Sequence, residues 1–292
     1  MTNAHSIKTT FLHAANQLNT QNADAESAAF EAQLLLQSVL NVNRAWLIAH
    51  ENDDLDEKLN GLFQTHIARR LNGEPIAYIL GKREFYGLEL IVTPDTLIPR
   101  PDTEILVEVA LAKILQDKIN VLDLGTGTGA IALAIAKNRP QANLIAVDAS
   151  SAALQVATKN AQQLALTNVE FILSNWFENL NDMRFDVIVS NPPYIAQNDV
   201  HLSQGDLRFE PASALASGAD GLNDIRQIVA NSLIYLKPQG WLMLEHGYDQ
   251  AAQVQDLMAD TGLVNIETFK DFGGNDRVTI GKNPLIVSTH WD

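Results

Sequence analysis

"INVLDLGTGTGAIALAIA", residues 119–136, decides how the rest of the chain is read. A short apolar strand, Val121 to Leu124, runs into Gly125-Thr126-Gly127-Thr128-Gly129, and a helix rich in Ala and Ile follows at once. This is the first strand–loop–helix turn of a doubly wound sheet, where glycines let a ligand touch the backbone beside a helix N-terminus. The next strand, "LIAVD", ends in Asp148. An acid there accepts hydrogen bonds from both ribose hydroxyls of an adenosine-type ligand. Gly125, Gly127 and Ala130 also satisfy the dinucleotide pattern G-x-G-x-x-G/A, with Asp148 near the expected spacing, so at this motif a dehydrogenase stays open.

Downstream, short apolar runs alternate with helical segments. Strands are expected at 119–124, 144–148, 169–173, 185–190, 240–245, 264–270 and 276–281. Strands alternating with helices give an α/β fold with a mainly parallel sheet and helices on both faces. Upstream, residues 1–73 are helical in period and nearly free of Gly and Pro. Leu55, Leu59, Leu62, Phe63 and Ile67 share one helix face, with Asp53 or Asp54 as N-cap and Gly73 as the stop. A bundle of four or five helices follows from this. Residues 74–100, "EPIAYILGKREFYGLELIVTPDTLIPR", are β-branched and aromatic, broken by Gly81, Gly87 and Pro94. They read as a β-hairpin linker to a catalytic domain over 101–292.

Composition narrows the chemistry. The 292 residues are 46% hydrophobic with a mean hydropathy of -0.04, as in a globular protein with a sizeable core. No apolar run approaches the roughly 20 residues of a membrane helix, and "MTNAHSIKTT" lacks the regions of a signal peptide, so a cytoplasmic location is expected. Without cysteine there is no disulfide, thiolate metal site or Cys nucleophile. The net charge of -15 is spread over both halves and argues against gripping a bare phosphate backbone with the whole surface.

The opening stretch is answered by "FDVIVSNPPYIAQ", residues 185–197, in which a buried strand stops in Asn191-Pro192-Pro193-Tyr194. Two prolines remove two backbone donors and fix φ, so nothing regular continues. Asn191 therefore sits at the carboxyl end of a strand in the same sheet, where such folds bind ligands. An amide or exocyclic nitrogen, its lone pair delocalised, needs positioning rather than a strong base. The Asn191 side-chain oxygen accepts one N–H of such a group and the Pro192 carbonyl the other, while the Asn191 amide donates to the substrate carbonyl. Tyr194 packs on the flat face of the reacting group. Arg100, between two prolines, is balanced between a surface loop and a pocket role. Glu245 and His246 end a strand at the same rim, His246 as a structural histidine, and residues 205–211 read as a loop that could cover the substrate.

"LDLGTGTG", "AVD", "SNWF" and "NPPY" resemble the successive motifs of class I S-adenosylmethionine-dependent methyltransferases. With "TLIPRPDTE", "GEPIAYILGKREFYG", "GDLRFEP" and "LEHG", the resemblance extends to the bacterial peptide chain release factor glutamine methyltransferases over residues 30–281. It implies a Rossmann-like, mainly parallel seven-stranded sheet preceded by the helical bundle; that bundle contains no catalytic constellation and is expected to dock a second part of a protein substrate. It implies S-adenosylmethionine as cofactor, held by Gly125, Thr126, Gly127, Thr128, Gly129, Asp148, Asn191 and Trp176, the last against its adenine. The substrate it implies is the glutamine of the Gly-Gly-Gln motif in class-one release factors, received by Asn191, Pro192, Pro193 and Tyr194. A monomer without nucleic acid, membrane or metal is expected. Two readings compete: a non-enzymatic binding protein that kept the fold and lost the chemistry, against which stand the intact glycine loop, Asp148 and Asn191-Pro192-Pro193-Tyr194, and an adenine-N6 or cytosine-N4 methyltransferase on DNA or RNA. Against the latter stand the acidic charge and the lack of a basic, aromatic-studded recognition region.

Overall fold

The computed structural model describes residues 6–20, 25–115 and 118–284. The chain forms two compact units that part after Gly81. In the first, helices α1 (Ile7–Asn19), α2 (Ala25–Leu40), α3 (Arg44–Ala49), α4 (Glu57–Leu71) and α5 (Ile76–Leu80) enclose a core that includes Leu18, Leu35, Leu36, Phe63 and Ile67. Ser6 and Asn43 cap α1 and α3 with side-chain oxygens on backbone N–H groups. The cap of α4 is Asp56, which accepts from Lys58 and Leu59, rather than Asp53 or Asp54. Arg70 binds Glu31 through two contacts of 2.8 Å and ties α4 to α2.

The stretch read as a hairpin linker over 74–100 divides differently. Residues 76–80 are helical, between Pro75 at the N-cap and Gly81 in the left-handed conformation (φ 71°), and Ile79 belongs to the bundle core. A five-residue apolar run is ambiguous between helix and strand, and tertiary packing decides it. The hairpin is only β1 (Lys82–Phe85) and β2 (Leu88–Ile91). Its two-residue turn is Tyr86-Gly87, both at positive φ as the twist of a tight hairpin requires. Phe85, Leu88 and Leu90 are buried in the core of the second unit.

That unit continues with α6 (Glu104–Lys113), β3 (Asn120–Leu124), α7 (Ala130–Asn138), β4 (Asn143–Asp148), α8 (Ser151–Gln163), β5 (Val169–Leu173) and β6 (Phe185–Ser190). It is completed by α9 (Asn223–Tyr235), β7 (Leu236–Glu245), α10 (Ala251–Thr261), β8 (Val264–Lys270) and β9 (Asp276–Lys282). The seven strands lie in the order β5-β4-β3-β6-β7-β9-β8, all parallel except β9, which runs antiparallel to both its neighbours. Separate apolar clusters cover the two faces. Strand order reverses at β3, and the crevice beyond the carboxyl ends of β3 and β6 is the place for a ligand. Leu124 pairs with Val147 on one side and Ser190 on the other. The glycine loop, Asp148 and Asn191 thus leave the sheet side by side.

Candidate active site

A cleft of about 550 Å³ opens at that edge, within the range of small-molecule sites. Gly125, Gly127, Asp148, Asn175, Trp176, Asn191 and Pro193 are among its walls. Gly125 and Gly127 have φ of 70° and 56°, a left-handed backbone that glycine adopts without strain. A Cβ on Gly125 would lie 3.2 Å from the Trp176 ring, so the tryptophan packs on the loop itself. Trp176 holds a positive φ of 48°, and Ser174 supports the turn by donating to its carbonyl at 2.9 Å. The neighbouring Phe177, stacked on Tyr235 at 4.5 Å, takes the core position and leaves Trp176 to the cleft. The Asp148 carboxylate accepts from Gly127 N–H and Ser150 N–H, each at 2.8 Å. Burial pushes its pKa up, and these backbone donors pull against that.

Three residues expected to hold a cofactor face elsewhere. The Thr126 hydroxyl donates at 2.6 Å to Asp123, and Thr128 is buried with its carbonyl accepting from Asn160 at 2.9 Å. Gly129 makes room for helix packing: a Cβ there would come within 3.0 Å of Leu133 and 3.3 Å of Ala157. Asp123 is itself buried, accepts also from Ala132 N–H at 3.2 Å, and is pushed up to about 7 by desolvation.

Asn191 also lines a second, smaller chamber of about 70 Å³, together with Leu97, Arg100, Pro192, Tyr194, Ile195, Leu207 and Leu215. Pro193 faces the large cleft, whereas Pro192 and Tyr194 face the small one. Asn191 Nδ2, expected to donate to substrate, instead donates to Thr103 Oγ1 at 3.1 Å, which leaves Oδ1 as the end available to a ligand. The Tyr194 hydroxyl donates to Glu245 Oε1 at 3.2 Å, and its carbonyl accepts from Gln250 at 2.9 Å. Arg100 borders the chamber and pairs with the fully buried carboxylate of Glu210, which also accepts from Ile98 N–H at 3.0 Å. The 205–211 segment is thereby fastened to the 94–100 segment, with Leu207 on the chamber and Pro211 on the cleft. His246 serves the fold: Nδ1 donates to the Gly247 carbonyl and Nε2 meets Thr279 Oγ1, both at 2.8 Å, and burial lowers its pKa. Thr103, Glu210 and Asn160 were not legible as site residues; each partners a residue far away in sequence.

Two families match the chain. The methyltransferase small domain covers residues 101–220, and the PrmC N-terminal domain covers residues 11–81. A release factor glutamine methyltransferase of Pseudomonas aeruginosa is 51% identical over 90% of this chain and 96% of its own. One of Salmonella typhimurium is 45% identical over 93% and 98%. Among solved structures, a methyltransferase from Pyrococcus furiosus superposes with a TM-score of 0.53 at 17% identity, over 76% of this chain and all of that one. This last likeness concerns the fold.

Proposed function

This chain belongs to the release factor glutamine methyltransferases, and from that premise we propose that it methylates the side-chain amide nitrogen, N5, of a glutamine in class-one peptide chain release factors, within the Gly-Gly-Gln motif. The observation that carries the reading is the position of Asn191, which stands in the walls of both the cleft and the chamber. A methyl donor in one and an amide in the other meet at this residue.

S-adenosylmethionine fits the cleft, and when bound it supplies an electrophilic methyl on a sulfonium sulfur. Gly125 and Gly127 would admit it against the backbone, Asp148 would take its ribose, and Trp176 would face its adenine. Thr126, Thr128 and Gly129 support the loop from behind. The chamber, walled by Leu97, Ile195, Leu207 and Leu215, suits the methylene stem of a glutamine. Asn191 Oδ1 accepts one amide N–H and the Pro192 carbonyl the other, so the nitrogen is held and charge developing on it is favoured. Tyr194 packs against the amide plane. The amide nitrogen is placed rather than deprotonated before it attacks, and one of its two protons passes to solvent once it has been methylated.

The first unit, residues 1–81, would dock the release factor. Leu12, Phe30, Ile48 and Leu62 stand exposed on it, and a pocket for one carboxamide selects a residue type without distinguishing one protein from another. Action on protein rather than nucleic acid agrees with the acidic charge, and the chain is read as a cytoplasmic monomer. Among the described residues no helix is long and apolar enough to cross a membrane.

The test offers labelled S-adenosylmethionine with release factor, DNA and ribosomal RNA as acceptors. Label should appear on the release factor glutamine; preferential labelling of either nucleic acid overturns the reading. Asn191→Ala should cut methyl transfer at least ~100-fold with little change in cofactor affinity. Phe30→Asp should raise KM for the release factor and leave cofactor binding alone.

A further inference from the structure

We infer that Arg100 is a substrate-binding residue that donates to the side-chain carbonyl of the glutamine. Glu210 is its positioning residue and cancels its charge, so that the chamber takes an amide rather than a carboxylate. The inference deepens the glutamine reading and rests on it.

A carboxamide entering the chamber brings two N–H donors and one carbonyl acceptor. Asn191 Oδ1 and the Pro192 carbonyl answer the donors, and the carbonyl needs an N–H or O–H of its own. The side chains lining the chamber offer few. The Tyr194 hydroxyl is engaged by Glu245 Oε1 at 3.2 Å, and Asn191 Nδ2 by Thr103 Oγ1 at 3.1 Å. Leu97, Pro192, Ile195, Leu207, Ala214 and Leu215 carry no side-chain donor. Arg100 remains, and among the described residues it is the one charged side chain in that wall. A guanidinium has five N–H donors and no acceptor. One is taken, as Nη2 donates to Glu210 Oε1, and the other four have no partner among the described residues. The side chain is 33% exposed, so those donors meet whatever enters.

A bare guanidinium would hold a carboxylate more tightly than an amide, because the charge-assisted, bidentate pair is the stronger one. Glu210 removes that bias. Its side chain is fully buried, its Oε2 accepts from Ile98 N–H at 3.0 Å, and its Oε1 accepts from the guanidinium. Anchored by a backbone group, the carboxylate stays in place when substrate arrives. Burial pushes its pKa up, while Arg100 and the Ile98 N–H favour the ionised form. Asp206, on the same segment, adds further negative charge near it. The wall therefore presents N–H groups whose positive charge is already matched. A glutamine carbonyl gains a hydrogen bond there, whereas a glutamate would bring an unmatched negative charge into a half-buried site. A brace of the fold alone would engage its donors within the protein; this one leaves four for a ligand. The cleft takes Pro94, Asp95, Thr96 and Leu97 from the same segment but not Arg100, so loss of the guanidinium should spare the cofactor.

The experiment uses the full chain and release factors carrying Gly-Gly-Gln or Gly-Gly-Glu. Wild-type protein must first methylate the former; if it does not, the functional reading itself falls. Given that, Arg100→Met should raise KM for the Gly-Gly-Gln factor about ten- to a hundredfold, the usual effect of losing a hydrogen bond to a charged group. Its cofactor Kd should be unchanged. Direct binding measurements should show wild type preferring Gly-Gly-Gln. Glu210→Gln, which keeps an acceptor for Ile98 N–H, should shift that preference at least about tenfold toward Gly-Gly-Glu. In Arg100→Met/Glu210→Gln the shift should vanish, because the cation that drew the carboxylate is gone. A merely structural pair would move the unfolding midpoint and both affinities together and leave their ratio alone. Unchanged KM in Arg100→Met overturns the inference, as does an unchanged Gln-to-Glu ratio in Glu210→Gln. Where a single variant leaves a buried group unpaired and does not fold, the double variant decides, with the same rise in KM expected and an unchanged KM overturning the inference. Failure of all three to bind S-adenosylmethionine makes the pair a brace of the fold and overturns it too.

Discussion

Asn160→Ala is the substitution whose effect can be worked most directly from the geometry. Asn160 is fully buried on α8 and takes the place of a missing strand beside β2. Its Oδ1 accepts from Ile91 N–H at 2.7 Å, and its Nδ2 donates to the Ile91 carbonyl at 3.0 Å and the Thr128 carbonyl at 2.9 Å. Three such bonds contribute about 1 kcal/mol each net. The Ile91 groups are only half-buried and regain water in the variant, whereas the Thr128 carbonyl is left unsatisfied inside. The sum is a loss of about 2–4 kcal/mol. Guanidinium unfolding should show this as a lower midpoint at unchanged slope for the transition of the second unit. Because the same side chain steadies the loop between β3 and α7, calorimetry should also show weaker S-adenosylmethionine binding. A loss below about 1 kcal/mol would mean that water replaces all three bonds and would refute the reasoning.

Asp148→Ala should weaken S-adenosylmethionine binding by about 1.5–3 kcal/mol, the usual worth of hydrogen bonds to a charged group; unchanged calorimetric affinity would remove Asp148 from the site. Asp123→Asn should alter the pH dependence of stability. The folded pKa of Asp123, about 7, lies above its ordinary 3.8, so between those values the folded state binds the extra proton and stability falls as pH rises. Relative to wild type, Asp123→Asn should gain stability as pH climbs from about 4 to about 7 and level off above that, as followed by thermal unfolding at several pH values. A constant difference from pH 5 to pH 8 would contradict the raised pKa.

The sheet was legible because its strands are continuous apolar runs closed by turn residues, and all seven expected strands are found. The start of β7 was hidden: Pro238-Gln239-Gly240 reads as a break, yet the strand begins at Leu236, which pairs with Phe185 across an irregular register. Ile76–Leu80 is too short for any period to declare itself. At the site, the glycine loop, Asp148 and Asn191-Pro192-Pro193-Tyr194 announce themselves because unusual residues stand together. Thr103, Glu210 and Asn160 are ordinary polar residues whose meaning lies in partners 88, 112 and 69 positions away. Long-range pairing of that kind leaves no local pattern.

The placement of β9 has a consequence for how the protein is made. β9 is the last strand in the described chain, yet it lies between β7 and β8 rather than at an edge. Until it has been synthesised, β7 has a bare flank over Trp241–Glu245, with Leu242, Met243 and Leu244 at its centre, and β8 has nothing to join. An exposed apolar flank of this kind templates the association of one chain with another. A message cut short before Asp276 would therefore yield a chain with its cofactor loop and Asn191 already encoded but prone to aggregate, so the integrity of the far end of the gene guards the solubility of the nascent enzyme.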